Sequence, residues 1–302
     1  MGQFLVAGII NVETTVKVPS IPVEYMPALD NYFEIDSGVS GNGFNVAKAL
    51  AVLGDDVTIV SMIGEDYRAD VINSWLESEG FHGDYILTSL KATPKSVVLY
   101  DNDGKRQIFY DLKDSINASY DLDMYLKAMQ PVDLVMLGNT NFCKPFLKIT
   151  KDAGKKIVTS VHAVSDIYDI HNSDFMKYAD ILFLSDDNLS ESPYDFVKRI
   201  AAEYDNEIII LGRGGKGAML YVKDDQFIGK FPAVKTREII NTVGAGDALL
   251  SAFLHFYLKT GNPYVSIKSA ILFSSYKIGT AGSSNGFLTE EQLEQYYSII
   301  WK

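Results

Sequence analysis

The sequence predicts an α/β fold in which a doubly wound, mainly parallel sheet is flanked by helices, with a small second β-sheet beside it. Short apolar runs rich in β-branched residues alternate with helical patterns along most of the chain. Such alternation indicates right-handed βαβ units around a parallel sheet. Two segments interrupt it and predict the small sheet. The 302 residues suit one large α/β domain with an appendage, or about two domains.

Strands are predicted where apolar runs are short and continuous, as expected for strands that are buried on both faces. The runs are Phe4–Ile10, Val57–Ile63, Asp133–Gly138, Lys156–Ser160, Ile181–Ser185 and Glu207–Leu211. Helices are predicted where the pattern is helical. These segments are Asn45–Leu53, Ala69–Glu79, Met124–Met129, Pro145–Ala153, Pro193–Glu203, Ala248–Leu258, Val265–Gly279 and Glu290–Trp301. Gly54 and Gly80 stand where helices commonly end.

The two interrupting segments predict a lid. Residues 11–36 are extended and contain several prolines, and residues 96–111 have the pattern of a hairpin. We therefore assign residues 1–10, 37–95 and 112–302 to an α/β core that binds nucleotide and substrate, and the two segments to a β lid over the ligand crevice. The pattern alone leaves open that both segments are ordinary surface excursions.

Composition excludes several classes of function. Lysine and arginine number 27 against 39 acidic residues, a net charge of −12, which argues against nucleic acid or an anionic membrane as partner. The single cysteine, Cys143, excludes an intrachain disulfide and a cysteine-based zinc site, and we interpret it as structural. No apolar run approaches the roughly 18 residues of a membrane helix, and the first residues lack a signal-peptide pattern, so we expect a cytoplasmic protein.

The segment from Asn241 to Asp247 carries the strongest chemical signal. Gly244 and Gly246 allow the backbone to approach a ligand closely, and a predicted helix follows at once. A helix N-terminus offers unpaired N–H groups and the positive end of its dipole, which together suit a phosphoryl group. Asp247 would then accept a proton from an attacking hydroxyl. The alternative is that Asp247 only favours the helix dipole.

A second glycine-rich segment, Ser40–Ala47, opens another predicted helix. Its two glycines permit close approach to a ligand, and Asn42 and Asn45 offer both donors and acceptors, as sugar hydroxyls require. The alternative is a glycine turn with a capping asparagine.

Residues 212–217 match the pattern G-x-G-x-x-G, but a predicted strand, Ala218–Lys223, follows them. A dinucleotide-binding fingerprint requires a helix at that point, so this segment is not one. It stays a candidate backbone cradle for a nucleotide.

With these motifs, the chain resembles the PfkB family of carbohydrate kinases, which have the ribokinase-like fold. Asn241–Asp247 is similar to the C-terminal signature of the family, and Ser40–Ala47 with Gly64-Glu65-Asp66 is similar to its N-terminal signature. The two segments are separated along the chain as they are in that family. The resemblance therefore covers nearly the whole chain.

The resemblance implies an ATP-dependent kinase acting on a primary hydroxyl of a small neutral sugar, ribose- or fructose-like. It implies Asp247 as catalytic base and the amides of Gly244, Ala245 and Gly246 as anion hole. The implied substrate-binding residues are Asn11, Glu13, Gly41, Asn42, Asn45 and Asn139. The implied nucleotide-binding residues are Ser185, Gly212, Gly214 and Gly217.

The resemblance also implies partners and cofactors. The partners are the sugar and ATP, with a homodimer formed through the lid, and magnesium arrives bound to ATP rather than in a protein cage. The family motif Asn-x-x-Glu reads Ser185-Asp186-Asp187-Asn188 here, so Asp186 or Asp187 would act on the metal through water. Asn241 replaces an aspartate that helps hold a monovalent cation in relatives, which leaves K⁺ activation open.

Two other functions stay open. A nucleoside kinase of the same family requires an aromatic wall for a base, which Phe33, Phe44 or Tyr110 would supply. A sugar-binding protein with impaired catalysis is motivated by Asn241 and by the altered Asn-x-x-Glu motif.

A phosphosugar kinase is disfavoured. It requires lysine or arginine near the sugar, and the implied substrate positions include neither. Only Lys105 or Arg106, at the hairpin tip, would reach in.

Overall fold

The computed structural model describes residues 2–187 and 189–301. Its strands are β1 (Gln3–Ala7), β2 (Asn11–Lys17), β3 (Ile35–Ser40), β4 (Asp56–Gly64), β5 (Ile86–Leu90), β6 (Lys95–Tyr100), β7 (Arg106–Asp111), β8 (Leu134–Gly138), β9 (Lys156–Ala163), β10 (Ile181–Ser185), β11 (Ile208–Gly212), β12 (Ala218–Val222) and β13 (Phe227–Phe231). Its α-helices are α1 (Asn42–Val52), α2 (Tyr67–Ser78), α3 (Leu122–Met129), α4 (Lys144–Asp152), α5 (Ser173–Tyr178), α6 (Pro193–Glu203), α7 (Ala245–Thr260), α8 (Pro263–Lys277) and α9 (Glu290–Ile300).

A nine-stranded sheet forms the centre of the molecule, in the order β13-β12-β11-β10-β9-β8-β1-β4-β5. The seven strands from β11 to β5 pair in parallel, and β12 and β13 add an antiparallel hairpin at one edge. The predicted fold class is therefore confirmed. Strand order reverses between β1 and β8, and in open α/β sheets ligands bind at the carboxyl ends of strands beside such a reversal.

Both faces of this sheet are buried. Phe4 and Val6 of β1 face one apolar layer, whereas Leu5 faces the other, and all three side chains are fully buried. Helices α1, α2, α7, α8 and α9 supply the first layer, and helices α3, α4, α5 and α6 supply the second. In the described part of the chain, no helix is both long enough and apolar enough to cross a membrane.

The two interrupting segments form a separate four-stranded sheet in the order β3-β2-β6-β7. Glu13, Ser96 and Tyr110 are register partners across this sheet and therefore share one face. The opposite face exposes apolar side chains, including that of Phe109, a residue that is 52% exposed. Residues 37–40 also belong to this sheet. The homodimer through it stays a prediction.

The structure differs from the predicted elements at a few points. Helix α7 begins at Ala245 instead of 248, so Asp247 lies in its first turn. Strands β5 and β13 and the short helix α5 were not predicted. The sequence patterns of β13 and α5 are weak. Strand β13 is only half-buried, and α5 spans six residues, which is less than two helical turns.

Candidate active site

The turn before α7 is shaped by a close backbone contact. Gly244 caps the helix with φ of 75°, and a Cβ atom added to it would lie 2.2 Å from the carbonyl oxygen of Ser283. Only glycine accepts both the left-handed backbone and this contact. The turn is therefore held against the loop that follows α8.

This turn presents unpaired N–H groups. Within residues 2–187 and 189–301, no acceptor pairs with the backbone N–H of Gly244, Gly246 or Asp247. The N–H of Ala245 instead donates to the carbonyl of Thr242 at 3.3 Å, which closes the turn. Three amides at the positive end of a 16-residue helix can accommodate a phosphoryl group.

Asp247 lies beside these amides and is partly buried. Its Oδ2 accepts a hydrogen bond from Nδ2 of Asn45 at 2.8 Å. Burial raises the pKa of Asp247, while the hydrogen bond from Asn45 and the positive charges of Lys277 and Arg106 oppose that rise. Oδ1 accepts no hydrogen bond from the described residues, so it can accept a proton from a ligand hydroxyl.

A chain of hydrogen bonds connects Asn45 to Glu13 of β2. Ser283 Oγ donates to Asn45 Oδ1 at 3.4 Å and lies 2.6 Å from Ser40 Oγ. Ser40 Oγ lies 3.2 Å from Glu13 Oε2, and since each serine hydroxyl has one proton, two of these three contacts are hydrogen bonds at a time. The structure therefore brings three sequence-predicted site residues, Glu13, Asn45 and Asp247, into one polar network.

Two buried acceptors of the small sheet have no hydrogen-bond partner among the residues that the structure describes. They are Oε1 of Glu13 and Oδ1 of Asn11, while Asn11 Nδ2 donates to Ser96 Oγ at 3.0 Å. An unsatisfied buried acceptor costs about 1–3 kcal/mol, so such atoms point to an absent hydrogen-bond donor. Burial also raises the pKa of Glu13.

A cavity of about 100 Å³ opens beside Glu13. Its lining is mostly polar and comes from the small sheet, α2 and the loop after α8. The lining residues are Glu13, Thr15, Asp36, Ser37, Gly38, Val39, Trp75, Gly282, Ser283, Ser284 and Asn285. The cavity therefore offers polar groups beside Glu13, although its lining includes neither Asp247 nor Asn45.

The remaining predicted substrate residues have different surroundings. Gly41 has φ of 102°, and a Cβ added there would lie 2.3 Å from the carbonyl oxygen of Ile9. Asn42 Oδ1 accepts from the N–H of Ile9 at 2.9 Å, so its amide connects α1 to the end of β1. Asn139 Nδ2 donates to Asn172 Oδ1 at 2.9 Å, and this side chain does not join the network around Asp247.

The predicted nucleotide-binding residues lie at the ends of two neighbouring strands. Ser185 ends β10 and is the register partner of Gly212, which ends β11. Gly214 and Gly217 follow in a tight turn, both with positive φ. The ring of Phe183 lies within about 4 Å of Cβ positions built on Gly212 and Gly246, so this strand edge is close to the start of α7.

Arg106, from the start of β7, crosses to the same region. Its guanidinium donates to Thr242 Oγ1 at 2.9 Å and pairs with Asp187 at 3.3 Å. Asp186 pairs through Oδ2 with Arg213 at 3.5 Å, and its Oδ1 accepts no hydrogen bond from the described residues. Asn188, the last residue of the altered motif, lies outside the described residues.

Sequence reasoning missed two residues of this region. Ser283 joins the polar network, and Lys277 is buried near it. Lys277 ends α8 and Ser283 lies in the loop after it, and neither position belongs to a recognisable sequence motif. Cys143, by contrast, is a buried residue whose pKa burial raises to about 12, which agrees with a structural role.

Comparisons with known proteins agree with this geometry. Residues 1–290 match the family model described as pfkB family carbohydrate kinase. A deoxyribokinase of Salmonella typhi is 22% identical over 275 residues, covering 87% of this chain and 88% of the relative. The fructosamine kinase FrlD of Bacillus subtilis is 26% identical over 220 residues, covering 71% of this chain and 74% of the relative.

Solved structures share the fold over almost the whole chain. A microbiome-derived acarbose kinase, Mak1, superposes with a TM-score of 0.88 at 22% identity and covers 98% of this chain and 99% of its own. A ribokinase from Giardia lamblia has a TM-score of 0.81 at 15% identity, and the match covers 99% of this chain and 100% of the ribokinase chain.

The contact at Gly244 yields a stability prediction. We expect Gly244→Ala to lower the free energy of unfolding more than Gly54→Ala, measured by urea denaturation at equal pH. Both glycines have positive φ, which costs an alanine about 1–3 kcal/mol, but nothing lies within 4 Å of a Cβ built on Gly54. Equal losses in the two variants would contradict the close packing of residue 244 on Ser283.

Proposed function

This chain belongs to the pfkB family of carbohydrate kinases, and we propose that it transfers the terminal phosphoryl group of ATP to a primary hydroxyl of a small neutral sugar. The observation that carries the proposal is the Asp247 carboxylate, hydrogen-bonded to Asn45 beside the three unpaired amides at the start of α7. Phosphoryl transfer needs positioning, charge neutralisation and a base, and these groups supply all three.

In the proposed reaction, Asp247 Oδ1 accepts the proton of the sugar hydroxyl. The hydroxyl oxygen forms a bond to the terminal phosphorus as the bond between that phosphorus and the bridging oxygen of ADP breaks. The N–H groups of Gly244, Gly246 and Asp247 donate to the phosphoryl oxygens. Asn45 holds the carboxylate so that its other oxygen faces the hydroxyl.

Positive charge comes from the chain and from the nucleotide's own metal. Arg106 lies against Thr242, next to the turn, where its guanidinium can neutralise phosphate charge. Magnesium bound to ATP would add to that neutralisation. The unpaired Oδ1 of Asp186 fits a metal-bound water, in place of the family glutamate.

The sugar would occupy the region between Asp247 and the small sheet, which would close over it as a lid. The unpaired oxygens of Glu13 and Asn11 can each accept a hydrogen bond from a hydroxyl. Deoxyribokinase and fructosamine kinase relatives support a sugar or sugar derivative as substrate. Arg106 faces the phosphate turn, which supports a neutral sugar over a phosphosugar.

One observation favours a nucleoside as second candidate. Tyr110 shares the inner face of the small sheet with Glu13 and is 66% exposed there, so its side chain is available to a ligand. Its ring would form a wall for a base. Phe44 cannot do so, because it is fully buried in the core against Phe81.

A screen for ADP release tests the function. Purified protein with ATP and magnesium is offered pentoses, hexoses and nucleosides one at a time. We expect turnover with a free sugar, and turnover with nucleosides alone would establish the second candidate. Tight sugar binding without ADP release across the panel would instead indicate a sugar-binding protein with impaired catalysis.

Asp247→Asn tests the base. We expect kcat to fall by about 10²–10⁴-fold while affinity for ATP stays nearly unchanged, because the substitution removes proton acceptance and little else. Asp195→Asn is the matched control, since Asp195 also lies in the first turn of a helix, where it can only favour the dipole. Equal activity of the two variants would show that Asp247 serves the dipole alone.

Burial raises the pKa of Asp247, and the hydrogen bond from Asn45 opposes this rise. Removing it in Asn45→Ala must raise that pKa further, so we expect the acid limb of the kcat–pH profile to move to higher pH. Asn262→Ala, at the cap of α8, is the control. An unmoved acid limb in Asn45→Ala would show that the titrating base is another group.

A further inference from the structure

Lys277 is a fully buried cation at the end of α8. Its ammonium donates to the backbone carbonyl of Val243 and to that of Gly282 at 2.6 Å. No carboxylate of residues 2–187 or 189–301 pairs with it directly. A buried charge without a paired counter-ion is costly, so its retention calls for a role.

The two carbonyls belong to the two loops that form the site. Val243 directly precedes Gly244, the cap of α7, and Gly282 precedes Ser283, whose carbonyl lies against Gly244. Two carbonyl oxygens that converge repel each other unless a cation or donor lies between them. The ammonium therefore holds the turn that presents the unpaired amides against the loop that supplies Ser283.

The residues here do not fit the monovalent cation that the family resemblance implies. Asn241 carries no charge, and its Oδ1 already accepts from the N–H of Val243 at 2.7 Å. The carbonyls of Val243 and Gly282 are bound to the ammonium of Lys277. A second cation at these carbonyls would meet the positive charge of Lys277 at close range.

We propose that the ammonium of Lys277 takes the place of a bound monovalent cation beneath the phosphate-binding turn, so that this kinase works without K⁺. An ammonium group has the charge of K⁺ and nearly its size, and the lysine stem attaches it permanently to α8. Lys277 is thus a positioning residue, which acts on the transferred phosphate through the turn at Val243 and Gly244. The assignment to catalysis rests on the proposed kinase function.

The electrostatic surroundings agree with a charged Lys277 at neutral pH. Burial lowers its pKa to about 8, the negative charges of Glu13 and Asp247 oppose that fall, and the positive charges of Arg106 and Arg237 add to it. The ammonium is therefore mostly protonated at pH 7 and can donate to both carbonyls.

The test compares KCl with choline chloride at equal ionic strength, using thermal melting and turnover. We expect wild type to melt at the same temperature and turn over equally in both salts. Lys277→Ala leaves room for an ion, so this variant should melt a few degrees higher in KCl than in choline chloride. Lys277→Met keeps most of the stem volume without charge, so it should not respond to KCl and should lose about 10²-fold in kcat.

Lys268→Met, on the same helix and half-buried against Trp301, is the control and should behave as wild type. Wild-type turnover or melting that rises saturably with KCl would overturn the proposal, as would Lys277→Ala melting equally in both salts. The melting readout needs no substrate, so it decides the cation question even if the proposed kinase activity is not found. The wild-type comparison needs no variant and stands if either variant fails to fold.

Discussion

The site depends on one contact between the N-termini of two helices, the hydrogen bond from Asn45 of α1 to Asp247 of α7. The start of α1 lies against Gly8 and Gly138, at the ends of β1 and β8 where strand order reverses, and the start of α7 lies against Phe183 of β10. Their close approach rests on backbone contacts that tolerate no side chain, at Gly41 against Ile9 and at Gly244 against Ser283. Glycine therefore determines the geometry, and the polar side chains use it.

Charge balance is the second constraint. Glu13 and Asp247 are acids whose pKa values burial raises, and the charges of His162, Lys277 and Arg106 oppose that rise at Asp247. Two of these cations have different attachments, since Lys277 is buried at the end of α8 while Arg106 reaches over from the small sheet. In the proposed lid motion, the cation on the small sheet would move relative to the cation on α8, so the charge around Asp247 would change as the lid closes.

Much of this architecture could be predicted from sequence because its signals are local. The continuous apolar runs of the parallel strands predict the fold class, and the glycine-rich turn before α7 predicts the unpaired amides of Gly244 and Gly246, but not that Ala245 is paired with Thr242. Contacts between distant segments left no such signal. The pairing of Lys277 with the Val243 carbonyl, and the position of Ser283 between Asn45 and Ser40, depend on how α8 and its loop pack. A lysine in the last turn of a helix usually indicates solvent exposure and a favourable dipole, so its burial could not be predicted.

The long separation of the site's components has a consequence for biosynthesis. Ser283 lies 238 residues beyond Asn45, its hydrogen-bond partner, so at roughly 5–20 residues per second the ribosome needs on the order of tens of seconds between them. For most of that interval the nascent chain carries Asn45 and Glu13 without the turn before α7, and Lys277 follows only shortly before Ser283. A polypeptide truncated before α8 would therefore contain Asn45 and Asp247 but lack Lys277 and Ser283, so the polar network between Asn45 and Glu13 could not form.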